Sequence, residues 1–163
     1  MSLRRIYRQE EEVLSKKSHP VTQFDRKLHI LLDDMKETLK DADGAGLAAP
    51  QVGILRRVVI VADANGEMTE LINPEIVSVE GEQEGFEGCL SVPRLYGMVK
   101  RPMTVTVKAQ DRDGSVFTMT GQGLMARAFC HEIDHLDGIL FTKYADRLYT
   151  PEEIEAMAHE EEA

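Results

Sequence analysis

His131-Glu132-Ile133-Asp134-His135 is the stretch on which the reading of this chain turns. On an α-helix, residues i and i+4 share a face, so the imidazoles of His131 and His135 can bind one cation. Glu132 follows the first of them and reaches the cation's open side without binding it. A carboxylate there can take a proton from water. Leu124 and Ala128 continue the stripe on which both histidines fall and turn the pair toward the core. Gly123 and Gly138 bound this helix, expected from Leu124 to about Asp137. The plain alternative is a solvated helix with a chance pattern. A buried imidazole pair needs partners, however, and a metal is the commonest reason to have two.

Two ligands do not make a tight site. Extending the motif puts Phe141 where a metzincin protease has its third histidine, and a phenyl ring binds no metal. A thermolysin-like centre would draw Glu153 or Glu155 from an acidic tail that carries no surrounding pattern. Cys89, in Glu87-Gly88-Cys89-Leu90-Ser91, is the better candidate. Thiolate joins readily with two imidazoles on a first-row divalent ion, and three protein ligands leave a position open, as catalytic sites do. Cys130 points about 100° around the helix from His131 and reads as packing. Gly44–Gln51 (Gly-Ala-Gly-Leu-Ala-Ala-Pro-Gln) is a loop of small residues that lets backbone lie against a substrate. Its Gln51 can aim an amide donor at a developing oxyanion.

Outward from these motifs, Phe24, Leu28, Leu31, Leu32, Met35 and Leu39 recur at helical spacing, with Thr22 and Asp25 resembling a capping box. Val58–Val61 reads as a buried strand before an Asn65-Gly66 turn. Leu71–Asn73 and Ile76–Val79 read as two short strands separated by Pro74, and Gly81–Gly88 as a polar connection. Thr104–Lys108 and Val116–Thr120 flank Asp113-Gly114 as a hairpin, and Ile139–Phe141 reads as a last short strand. Residues 1–20 read as irregular. The fold class is α+β: short, mostly antiparallel strands around a central metal-binding helix, with an N-terminal helix, in a single domain over 1–163. The tail from about 151 to 163 is acidic.

The 163 residues are 42% apolar, enough for one core, and carry a formal charge of −10. That balance argues against direct nucleic-acid binding, which rests on Lys and Arg. No apolar run is long enough to span a membrane and no leader pattern opens the chain, so the cytosol is the expected compartment. His19, His29 and His159 read as surface residues.

The segments Gly44–Gln51, Glu87–Ser91 and His131–His135 resemble, in order and spacing, the three signature motifs of the peptide deformylases, and the chain from about Phe24 to Phe141 is similar to that family. Gln often stands where Cys130 does, and the early Pro-Asp-Pro of many members is Gln9–Glu12 here. The resemblance implies that Cys89, His131 and His135 hold the metal, generally Fe2+, with Zn2+, Ni2+ or Co2+ as substitutes. It implies Glu132 as general base and then acid, and Gln51 with the backbone N–H of Leu90 as oxyanion donors. Gly46 is implied in backbone contacts to substrate, with Ala45, Leu124, Ala128 and the Cys89–Leu90 segment around the methionine and Arg127 at the rim. Asp134 and Arg101 are a candidate ion pair beneath the site. The implied substrate is the N-formylmethionyl end of nascent polypeptides, met by a bacterial cytoplasmic monomer in transient proximity to ribosomes. A Glu-rich tail would not dock on RNA.

Overall fold

The computed structural model describes residues 2–162. The first regular helix, α1, covers Arg26–Ala42, and Asp25 caps it by accepting from the Leu28 amide at 3.1 Å. Thr22 is therefore not the cap. Strand β1 (Gly46–Ala48) lies where a loop was expected, because the small residues there let the chain pair with β2 (Val58–Ala62). Strand β3 runs unbroken over Met68–Glu80, where two strands were expected. Pro74 has no N–H to give the ladder. The register shifts between Ile72 and Glu75, and Asn73 takes φ +52°, so a bulge absorbs the proline and the strand continues.

Gln83–Cys89 forms β4 and Val92–Arg101 forms β5, a pair in place of the expected polar connection. The hairpin β6 (Thr104–Gln110) and β7 (Val116–Gln122) follows as expected, then α2 (Leu124–Leu136). Ile139–Phe141 is not a strand. Gly138 turns the chain at φ +75°, a tight helical turn spans Phe141–Lys143, and the last strand is β8 (Leu148–Tyr149). The acidic tail forms a helix, α3, over Pro151–Glu162. The antiparallel strands make two sheets, ordered β1-β2-β3-β6-β7 and β4-β5-β8.

The five-stranded sheet lies between α1 and α2, which explains the unbroken apolar run in β2. Val58 and Ile60 face Leu28, Leu32, Met35 and Leu39 of α1. Val59 and Val61 face Ala126, Phe129, Ile133 and Leu136 of α2. Alternate residues of a strand point to opposite faces, and here both faces are covered. Phe129 is fully buried, and losing such a ring costs about 3–5 kcal/mol. The N-terminal stretch was expected to be irregular, but a tight helical turn over Glu12–Ser15 buries Leu14. The stretch is anchored by the Tyr7 amide donating to Gln51 O at 2.7 Å and the Gln9 amide to Ser91 O at 2.9 Å.

Candidate metal centre

Packing Phe129 and Ile133 onto the large sheet turns His131 and His135 of α2 toward the small one. Both are buried, at 7% and 1% exposure. Cys89 ends β4 opposite them. Its Sγ and one ring nitrogen from each histidine lie within 4.8 Å of one another, and Sγ is 3.3 Å from His135 Nε2. Cys130 lies in the core with its thiol pushed up by burial, outside this cluster. Phe141, placed where a third histidine would have been, stacks on the His131 ring at 5.9 Å.

His131 Nδ1 donates to Glu87 Oε1 at 2.6 Å, which leaves Nε2 as the nitrogen turned to the cluster. Glu87 also accepts from Arg101 through two bonds, 2.7 and 3.0 Å, and from Arg127 at 2.8 Å. Arg101 reaches on to Asp134 at 2.8 Å, the pairing expected from the sequence. Burial raises the Glu87 pKa, but hydrogen bonds from His131 and Arg101 outweigh it and hold the carboxyl down at about 2. Burial likewise disfavours the cation on both imidazoles. At His131 the charge of Glu132 and hydrogen bonds with Cys89 and Glu87 win and raise the pKa. At His135 burial and the charge of His131 outweigh the opposing charge of Glu87 and hold the pKa well down.

Glu132 is 4% exposed, and burial pushes its carboxyl up to about 7 with His131 opposing. Among the described residues three buried side-chain atoms have no hydrogen-bond partner, Ser18 Oγ elsewhere and Glu132 Oε1 and His135 Nδ1 in this site. Two such orphans are costly in a finished core. A neutral imidazole, a second fixed by its carboxylate and a thiol suit a borderline-soft divalent ion, and the unsatisfied Glu132 oxygen suits a water beside it. The residues present fit a metal.

The cluster opens into a cavity of about 440 Å³. Gly46, Gln51, Leu90, Ala45, Ala128 and Leu124 all line it. A Cβ on Gly46 would lie 2.6 Å from Glu132 Oε2, so β1 reaches this carboxylate only with glycine there. Gln51 accepts from the Ala48 amide at 2.9 Å and donates to Ser91 Oγ at 3.1 Å, which aims its NH2 group toward Cys89 Sγ, 3.6 Å away. Leu124 does not continue a core-facing stripe. It opens α2 beyond the sheet's cover and is 83% exposed, at the cavity's edge. Arg127 is not a rim residue either, being buried against Glu87 and the Val99 carbonyl. The sequence reading assigned Glu87 no role, although it lies two residues before Cys89 and a strand puts i and i+2 on one face. Phe86, Pro93, Arg94, Leu95 and Tyr96 also line the wall and were likewise missed.

Three donors around one point, with a buried carboxylate beside them at the floor of an open cavity, make the arrangement of a metal-dependent hydrolase. Residues 3–150 match the polypeptide deformylase family. A peptide deformylase of Caldicellulosiruptor bescii is 56% identical over 95% of this chain and 93% of its own, and peptide deformylase 1 of Bacillus subtilis is 47% identical over 96% and 99%. The crystal structure of a peptide deformylase from Legionella pneumophila superposes with a TM-score of 0.85 at 44% identity, covering 96% of this chain and 92% of that one. The chain belongs to the polypeptide deformylase family. It is a hydrolase of N-formylated nascent polypeptides, and metal dependence is a property of the family. No described helix is long and apolar enough to cross a membrane.

Proposed function

We propose that Cys89, His131 and His135 hold a single Fe2+ ion, replaceable by Zn2+, Ni2+ or Co2+, and that Glu132 moves the proton in formyl hydrolysis. The observation that carries this is the buried, unpartnered Glu132 oxygen beside the thiol–imidazole cluster. A bound divalent ion supplies Lewis acidity and lowers the pKa of water. Glu132 takes the proton of the water that attacks the formyl carbon, then returns it to the amine nitrogen as the C–N bond breaks, releasing formate. A carboxylate this buried, held beside the attacking water, is placed for both transfers. Gln51 and the Leu90 N–H donate to the developing oxyanion. Gly46 offers backbone to the peptide, while Ala45, Leu124, Ala128 and Leu90 enclose the methionine side chain.

Glu132→Gln tests the assignment. It should lower kcat for formyl-Met-Ala-Ser by about 10²–10⁴-fold while bound metal, measured by elemental analysis, stays near one per chain. Full activity in that variant would end the reading. Iron as the working ion predicts inactivation in air with oxidation of Cys89, slowed by zinc. We further infer one catalytic domain over 1–163, working as a monomer in the bacterial cytoplasm and meeting ribosomes only in passing. The charge of −10 and the Glu-rich α3 support the last point, since both repel RNA.

A further inference from the structure

The charged side chains on the cavity wall are of two kinds. Glu87, Arg127, His131 and Glu132 are buried and joined to one another, with Arg101 and the Val99 carbonyl completing their network. Arg94 stands apart from that network, with its side chain 73% exposed. Its guanidinium pairs with Glu152 of α3 at 2.8 Å, and that carboxylate is 70% exposed. The Arg94 backbone lies at φ +59°, in the left-handed region that glycine adopts freely and a long side chain does not. A cation thus occupies the cavity mouth at a position where the backbone alone would favour glycine.

An ion pair this open to water is weak, and its partners exchange readily. A carboxylate carried past the mouth by a substrate peptide can displace Glu152 from Arg94. We propose that Arg94 is a specificity determinant, favouring formyl-Met peptides with Asp or Glu within the few residues after the methionine, and that Glu152 holds the guanidinium in place between turnovers. This rests on the assignment of the cavity to the formyl-peptide substrate. It also runs against the protein's overall field: a net charge of −10 would by itself draw in basic peptides.

The test is kcat/KM by formate release at low salt for formyl-Met peptides carrying Glu or Lys at the second, third or fourth residue. The wild-type Glu-to-Lys ratio should be about two- to tenfold in at least one position. Arg94→Glu should invert that ratio and Arg94→Lys retain it. Glu152→Gln, which removes the competitor, should enlarge it, and 0.5 M NaCl should flatten it. A wild-type ratio of one or less at all three positions, or a ratio that Arg94→Glu leaves untouched, overturns the proposal. Neutral formyl-Met-Ala-Ser separates the two levels. A flat ratio with that peptide still turned over counts against Arg94 alone, whereas no turnover of it counts against the site's assignment.

Discussion

Two clusters in this protein are built from matching chemistry, two acids and two cations each, yet they are placed differently. Around Glu87 stand Arg101, Arg127 and Asp134, with Arg101 and Glu87 only 6% and 4% exposed. Around Glu70 stand Arg112, Lys36 and Asp33, where Arg112, Lys36 and Asp33 are each about a third exposed. The outer cluster ties α1 to β3 and the β6–β7 turn, and water can substitute for most of it. The inner one cannot be rehydrated. Its charges cost desolvation that apolar residues would not, so stability alone is a poor reason for it. What it does, and the outer one does not, is fix a ring nitrogen: Glu87 decides which face of His131 meets the metal cluster.

The sharpest way to break this contrast is Glu87→Ala. It leaves two buried guanidinia and His131 Nδ1 without their acceptor, so denaturant unfolding should show a loss of about 3–5 kcal/mol. Chelator competition should show metal bound about 10–100-fold more weakly. A variant with normal stability and metal affinity would make the two clusters equivalent. Asp134→Asn is the next step down. Arg101 keeps its fork on Glu87 and loses one charged acceptor, for about 1–3 kcal/mol in the same unfolding experiment. Metal affinity should fall less than in Glu87→Ala, because His131 keeps its anchor.

Glu70→Gln gives the smallest effect, up to about 1 kcal/mol at neutral pH. Burial opposes ionisation of Glu70, but hydrogen bonds from Arg112 and Lys36 hold its carboxyl below the usual 4.5. A carboxyl with a lower pKa folded than unfolded stabilises the fold above the unfolded value and loses that contribution as pH falls through the folded one. The melting-temperature gap between wild type and Glu70→Gln should therefore be open at pH 7 and close on acidification below 4.5. High salt should narrow it too, while leaving the Glu87→Ala gap largely unchanged.

Helices α1 and α2, β2 and the hairpin were legible because their signals are local: helical spacing from Leu28 to Leu39, an apolar run at Val58–Val61, and a turn at Asp113-Gly114. The acidic composition of 151–163, by contrast, did not announce α3. The clustering of Cys89, His131 and His135 was legible from local signals too, as motif residues whose order carries the chemistry. The small sheet was not. Strand β4 packs Glu87 inward where a strand normally packs an apolar residue, and its Gly88 leaves room for the Tyr96 ring, so no alternation announces it. In β5 the signal was present, with Gly97, Val99 and Arg101 buried and Met98 and Lys100 exposed, but a buried arginine disguises the pattern. Pro74 looked like a break because only pairing with β6 shows that a bulge can take it up. Exposure of Leu124 likewise depends on where the sheet's cover ends, which lies outside the helix's own sequence.

Cys89 belongs to the small sheet, whereas His131 and His135 ride on the helix seated against the large one. An ion shared among them would therefore be one more suture between two sheets that share no strand ladder, beside the side-chain bonds that Glu87, Arg101 and Arg127 already make across the same seam. Its grip adds to the folding free energy as the logarithm of free ion concentration, about 2.7 kcal/mol at a hundredfold excess over Kd. The melting temperature of this protein would then have no single value. With that ion bound as proposed, it would be a reading of how much metal the surroundings supply, and a cell that starves the enzyme of its ion would also loosen this seam.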